Sequence, residues 1–242
     1  TGNPNLKSET SNNFDISFNY DNGEFYAMAS FYINDVDNYI TLQDMIDDHD
    51  DHDDHDDHDD HDDDHGDDDH DDHDDHGDDH DDHDKEFAHL IKANYVQEDA
   101  EFRGYEFEIG RTFSLGSGDL TLSFGRDEVD AEFSDGHNVP RINPARNIYS
   151  LSYVESDWVF KLILKDVESQ NDIGEGETKT DSYQMLDTRL TRTFNVGEES
   201  ELKLSIFGTN LLDEVARNHS SFVKNEVPLA GRNYGAKFSY RF

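Results

Sequence analysis

Nine stretches of this chain alternate apolar and polar side chains residue by residue, and the connections between them alternate short and long. Phe14, Ile16, Phe18 and Tyr20 interleave with Asp15, Ser17 and Asn19. Leu120, Leu122 and Phe124 interleave with Thr121 and Ser123; Phe160, Leu162 and Leu164 with Lys161 and Lys165; Tyr234, Ala236, Phe238, Tyr240 and Phe242 with Lys237, Ser239 and Arg241. Period two puts one set of side chains on each face of a sheet. Strands are expected at 11–20, 24–40, 100–113, 119–133, 145–154, 158–168, 182–194, 201–210 and 233–242. Short turns fall at Asp21 to Gly23, Ser114 to Asp119, Glu155 to Asp157 and Asn195 to Ser200. Long connections fall at 41–99, 134–144, 169–181 and 211–232. A soluble β-sandwich shares the alternation but has no reason to segregate short turns from long loops. A transmembrane antiparallel β-barrel does, with turns on the periplasmic side and loops outside, and its wet lumen explains the charged residues on the second face. Beyond Phe124 the apolar parity changes to Val129, Ala131 and Phe133, which suggests a bulge near Gly125. Nine strands cannot close such a barrel, because strand numbers are even and an open edge is costly in lipid. The remaining strands are expected before Thr1.

The mean hydropathy of −0.96 does not oppose this reading. Much of it comes from residues 47–84, made only of 25 Asp, 11 His and 2 Gly, a segment that carries −25 of the chain's formal charge of −40. So acidic a chain has no basic surface for phosphates, which excludes nucleic acid as a partner. The absence of cysteine excludes disulfides and thiolate metal ligands. No signal peptide opens the chain and no apolar run is long enough for a transmembrane helix. No nucleophile motif or catalytic constellation is present, so an enzyme is not expected.

Three stretches resemble the C-terminal half of the barrel in TonB-dependent outer-membrane receptors. Leu6-Lys7-Ser8-Glu9-Thr10-Ser11 resembles the family's mid-barrel Lys-Pro-Glu-x-Ser stretch, with Ser8 in place of proline. Asp99-Ala100-Glu101-Phe102-Arg103-Gly104-Tyr105-Glu106 resembles a strand motif ending Gly-x-Glu. Asn210-Leu211-Leu212-Asp213, Pro228-Leu229-Ala230-Gly231-Arg232-Asn233-Tyr234 and Tyr240-Arg241-Phe242 resemble the last hairpin, with Ala230 where proline is common. The resemblance implies that residues 1–242 are about the last nine strands of a barrel of about 22 strands in the outer membrane of a Gram-negative bacterium. It implies an N-terminal plug whose TonB box engages the TonB-ExbB-ExbD complex. It also implies contact with outer-membrane lipid, and recognition of the terminal Phe242 by the barrel assembly machinery.

Within this frame residues 42–86 are an inserted extracellular loop. His49, His52, His55, His58 and His61 recur every third residue; His65 breaks the period, and His70, His73, His76, His80 and His83 resume it. With nothing apolar to bury, the segment is expected to be disordered without a ligand. Neutral imidazole suits zinc, copper and nickel, and the carboxylates add oxygen donors. A purely acidic loop would supply charge without histidine, so the pattern points to metal binding, with zinc ahead of copper because soft sulfur ligands are scarce. His89 follows the tract, and His137 and His219 fall in other long loops. The stretch around His219 resembles a loop of the family's zinc-uptake branch, which adds His219, and with it His137, to the candidate ligands. Glu106 and Glu108 face the lumen. The expected function is metal uptake, of zinc first, with no organic cofactor. The alternatives are a metallophore receptor, or a surface metal-buffering protein that transports nothing.

Overall fold

A computed structural model describes residues 3–44, 93–197 and 200–242. Among them nine strands form one antiparallel sheet in chain order. They are β1 (Thr10–Asp21), β2 (Phe25–Asp44), β3 (Ala93–Leu115), β4 (Gly118–Phe133), β5 (Arg146–Glu155), β6 (Trp158–Val167), β7 (Tyr183–Asn195), β8 (Glu201–Thr209) and β9 (Asn233–Arg241). Every strand pairs with its chain neighbour, so the expected all-β meander is present. Short turns lie at one rim and long loops at the other. The turns are built from local polar chemistry. In the first, Asp21 Oδ1 accepts the Gly23 N–H at 2.8 Å, Asn22 Oδ1 accepts those of Glu24 at 3.1 Å and Phe25 at 2.8 Å, and Gly23 takes a φ of 90°.

The register places the alternating apolar residues of all nine strands on one face. One hydrogen-bonded row reads Phe113, Leu120, Tyr153, Phe160, Leu190, Ile206 and Ala236. A higher row begins Phe18, Ala29 and Phe107 and then becomes Arg126, Asn147, Asp166 and Gln184. A row perpendicular to the strands therefore climbs out of the apolar band as it crosses the sheet, which is the geometry of strands tilted against a planar band. At the turn rim the Arg192 guanidinium lies 4.7 Å from the rings of both Trp158 and Phe194, so this cation rests among aromatics at the band's edge.

The change of parity in β4 is not a bulge. β3 and β4 pair without interruption from Ala100↔Phe133 to Leu115↔Gly118, which corrects the expectation near Gly125. Instead the faces exchange character. Below Gly125 the apolar face carries Leu120, Leu122 and Phe124; above it the same face carries Arg126, Glu128, Asp130 and Glu132. There Arg103 lies 3.9 Å from Asp130 and 3.7 Å from Glu132. On the other face Ala131 joins Ala100 and Val139 in a small buried core flanked by Tyr39, Phe102, Phe133 and Ile142. Above the band the outward face meets water and the inward face meets folded loops, so the pattern inverts with no change of register.

The irregularity lies in β2, where the register shifts between Val36 and Tyr39 and Asn38 adopts a φ of 56°. Beyond it β2 and β3 continue to Asp44↔Ala93. Residues 42–44 are therefore strand, and β3 begins at Ala93 rather than near 100. Residues 3–9 strap this upper hairpin: Asn3 Nδ2 donates to the Tyr95 carbonyl at 2.9 Å, the Lys7 N–H to Gln97 Oε1 at 2.6 Å, and the Ile40 N–H to Glu9 Oε1 at 2.6 Å.

Candidate functional site: the loop rim

The Asp/His tract of 47–84 and His89 lie outside the described residues. His49, His52, His55, His58, His61, His65, His70, His73, His76, His80 and His83 are therefore known from sequence alone. The described strands on either side of them, β2 ending at Asp44 and β3 beginning at Ala93, both reach the loop rim. A cavity of ≈ 160 Å³ opens beside that hairpin, lined by Thr41, Glu98, Phe133, Asp135, His137 and Glu175 among others.

His137 is 80% exposed, and its Nδ1 lies 2.6 Å from Asp135 Oδ2. Its own N–H donates to Asp135 Oδ1 at 2.9 Å. The hydrogen bond and charge of Asp135 raise the imidazole pKa, and the same bonds hold the Asp135 carboxyl below its ordinary range. Oriented through Nδ1, the ring leaves Nε2 for other partners. His137 thus remains an accessible imidazole near the root of the tract.

His219 is 2% exposed. Its Nδ1 lies 2.9 Å from Thr180 Oγ1 and 3.4 Å from Lys224 Nζ, and its Nε2 lies 3.6 Å from Glu177 Oε2. Nε2 is buried with no hydrogen-bond partner. Burial, then the Lys224 charge, lower the imidazole pKa, and Glu177 opposes them. His219 and His137 are not brought together by any shared contact. Among the described residues no group of three or more His, Asp or Glu side chains is gathered for a metal ion. Sequence reasoning did not single out Glu177, Thr180 or Lys224. Glu177 and its partner His219 lie in different loops, and no local pattern marks the pair. Sequence reasoning drew on Asn210 for resemblance alone and missed its role: the residue is fully buried, and its amide holds the chain at both ends of its loop by donating to the Glu214 and Ala230 carbonyls.

On the second face of the sheet Glu106, Glu108, Asp127 and Arg146 border a concavity of ≈ 420 Å³. Lys161, Lys165, Arg189, Lys203 and Lys237 follow on that face by register. The wall is acidic at β3 and β4 and predominantly basic beyond, and Lys165 lies 3.7 Å from Asp187. Tyr26 donates to Glu108 Oε1 at 2.5 Å.

An antiparallel sheet with one apolar band, charge above it on the same face, a polar second face and loops gathered at one rim is a wall of a membrane β-barrel. Residues 1–211 match the family described as TonB dependent receptor-like, beta-barrel, and the chain belongs to that family. The family consists of receptors, not enzymes, and its members are β-barrels of the Gram-negative outer membrane. Among solved structures the chain is similar to the copper transporter OprC, with 20% identity and a TM-score of 0.67 over 96% of this chain and 31% of that one. It is also similar to the FrpB iron transporter from Neisseria meningitidis, at 13% identity and a TM-score of 0.57 over 99% and 32%. The ferric-catecholate import receptor Fiu from E. coli K12 gives 13% identity and a TM-score of 0.54 over 98% and 28%. At these identities the likeness is one of fold, and the chain spans about a third of each of these proteins. No curated protein sequence gives a significant match.

Proposed function

We propose that this chain is part of a TonB-coupled receptor that takes up a divalent metal, zinc first, and that residues 47–84 collect the ion outside the cell. The observation that carries this reading is 11 histidines set among 25 aspartates in a single insertion. The carboxylates raise the local concentration of any cation, and neutral imidazole favours zinc, copper or nickel over magnesium or calcium. The insertion point supports the reading, since the hairpin roots the tract beside exposed His137. Two of the similar structures are named as metal transporters, for copper and for iron, which favours a metal cargo. His137, and His219 if its loop opens, are the candidate ligands beyond the tract. Coupling would pass through a plug to the TonB-ExbB-ExbD complex.

The test is uptake of radiolabelled zinc by zinc-starved cells carrying the full receptor or a version with every tract histidine changed to Asn. The expected result is slower TonB-dependent uptake at limiting zinc, with the two versions converging at high zinc. Equal uptake at limiting zinc refutes the collector role. Zinc retained at the surface without TonB-dependent entry would support a buffering protein instead. An epitope tag at Gly66 reached by antibody on intact cells is the expected topology; access only after lysis would place the tract on the wrong side.

A further inference from the structure

Three long connections of the loop rim, 134–145, 168–182 and 210–232, come from different hairpins, yet their contacts converge on one carboxylate. The Glu177 side chain is 7% exposed. Its Oε1 accepts the Arg141 N–H from loop 134–145 at 3.0 Å and lies 3.5 Å from Lys224 Nζ of loop 210–232. Its Oε2 accepts the Gly174 N–H of its own loop at 3.1 Å and lies 3.6 Å from His219 Nε2 of loop 210–232. Lys224 is itself buried, so Glu177 and Lys224 neutralise one another out of water.

We propose that Glu177 is a clasp that fastens these three loops into one unit, so that the receptor's rim above β4 to β9 moves as a single body. A buried carboxylate is stable only when its lone pairs are filled and its charge is matched. Here the backbone donors come from two loops and the matching charge from the third. Without Glu177, Lys224 loses its counter-charge and gains by returning to water, which pulls its loop away. Other contacts run in the same directions and are weaker or neutral. Asn138 Nδ2 donates to the Ile173 carbonyl at 3.3 Å, Gln170 Nε2 to the Ile142 carbonyl at 2.9 Å, and Thr178 Oγ1 to Asn225 Oδ1 at 3.1 Å. The Arg141 guanidinium lies 3.4 Å from the centre of the Phe222 ring. These contacts shape the surfaces; the charge pair makes each loop's position conditional on the others. The inference concerns the loops alone and does not depend on which cargo is carried.

The test uses full-length receptor in lipid bilayers, spin-labelled in pairs at Ser134→Cys, Asn171→Cys and Val215→Cys, one in each loop, with distances read by pulsed electron resonance. Unaltered at position 177, all three pairs should give narrow distributions. Glu177→Gln should broaden both pairs that include Val215→Cys, among them the 134–215 pair, which contains no label on the loop of Glu177. Arg217→Ala removes only a tie within loop 210–232, the bonds from Arg217 to the Lys224 and Asn225 carbonyls, and should leave the 134–171 pair narrow. A 134–215 distribution still narrow in Glu177→Gln would overturn the proposal. Should Glu177→Gln fail to insert, Lys224→Met probes the contact from the other side: a broadened 171–215 pair supports the clasp, and a narrow one overturns it. The double variant, with both charges gone, should be narrower than Lys224→Met alone; an equal or greater breadth would mean that the charge pair is not the fastening.

Discussion

An arginine placed at Leu162 tests the membrane reading of the apolar face. Leu162 stands in β6 between Trp158 and Asp166, four positions from each, and its row neighbours are Leu151 and Thr188. A strand rises about 3.3 Å per residue, and a tilt near 40° leaves roughly 2.5 Å per residue along the bilayer normal. Leu162 then lies about 10 Å along the normal from both Trp158 and Asp166, close to the midplane of an apolar band about 25 Å tall. Leu162→Arg should destabilise the inserted full-length receptor by about 2–4 kcal/mol, whereas Asp166→Arg, at the polar edge of the same strand and face, should cost about 0–1 kcal/mol. The assay is reversible denaturant unfolding in lipid vesicles, followed by the fluorescence of aromatic residues and by heat-modifiable migration. Equal costs at the two positions, or a cost under about 1 kcal/mol at Leu162, would refute the assignment of this face to lipid.

Three further outcomes follow from local geometry. A Cβ on Gly118 would sit 2.5 Å from the Val154 carbonyl oxygen, a backbone atom with no room to yield, so Gly118→Ala should lower unfolding stability by about 1–3 kcal/mol. Asn210→Ala removes the buried amide that donates to the Glu214 and Ala230 carbonyls and accepts the Glu214 N–H, so a loss of about 1–3 kcal/mol is expected, with faster proteolysis confined to that loop. Asp135→Asn should lower the pKa of His137, read from its imidazole proton resonances, because Asp135 is what raises it. The sign is fixed: a raised imidazole pKa means that the His137–Asp135 attraction is full below about pH 6.5 and is lost as pH rises through the shifted value. An unchanged His137 titration would remove Asp135 as the cause.

The nine strands were legible because burial in lipid on one face and contact with water on the other writes period two directly into Phe14 to Tyr20, Trp158 to Leu164 and Tyr234 to Phe242. The turns were legible because Asp21-Asn22-Gly23 closes by its own side chains. The tips of β2 and β3 were not. Gln97 to Asp99 are consecutive polar residues with no alternation, and Asn3, Lys7 and Glu9, which brace the tips, approach from the start of the chain. The parity change at Gly125 was visible and was misread as a bulge. Period two reports which face is dry, and the dry face can change sides where a strand leaves the membrane. His219 was picked out as a loop histidine, but its burial was invisible, because Glu177 lies in another loop and the two meet only when adjacent hairpins align. Asn210 stood in a stretch chosen for resemblance, although what it does is cap a loop.

The central claim, that imidazoles of residues 47–84 hold the metal, is tested most directly by calorimetric zinc titration of the full-length detergent-solubilised receptor beside a version with all tract histidines changed to Asn. Repeating each titration in buffers of different ionisation enthalpy counts the protons released. A metal ion binds only the neutral imidazole, so metal and protons compete for the same nitrogens. The account predicts more than one zinc bound near pH 7.5 with proton release, most of it lost near pH 5, and little competition from calcium. Equal zinc binding by the two versions, with no proton release, would assign the binding to the aspartates and contradict the account.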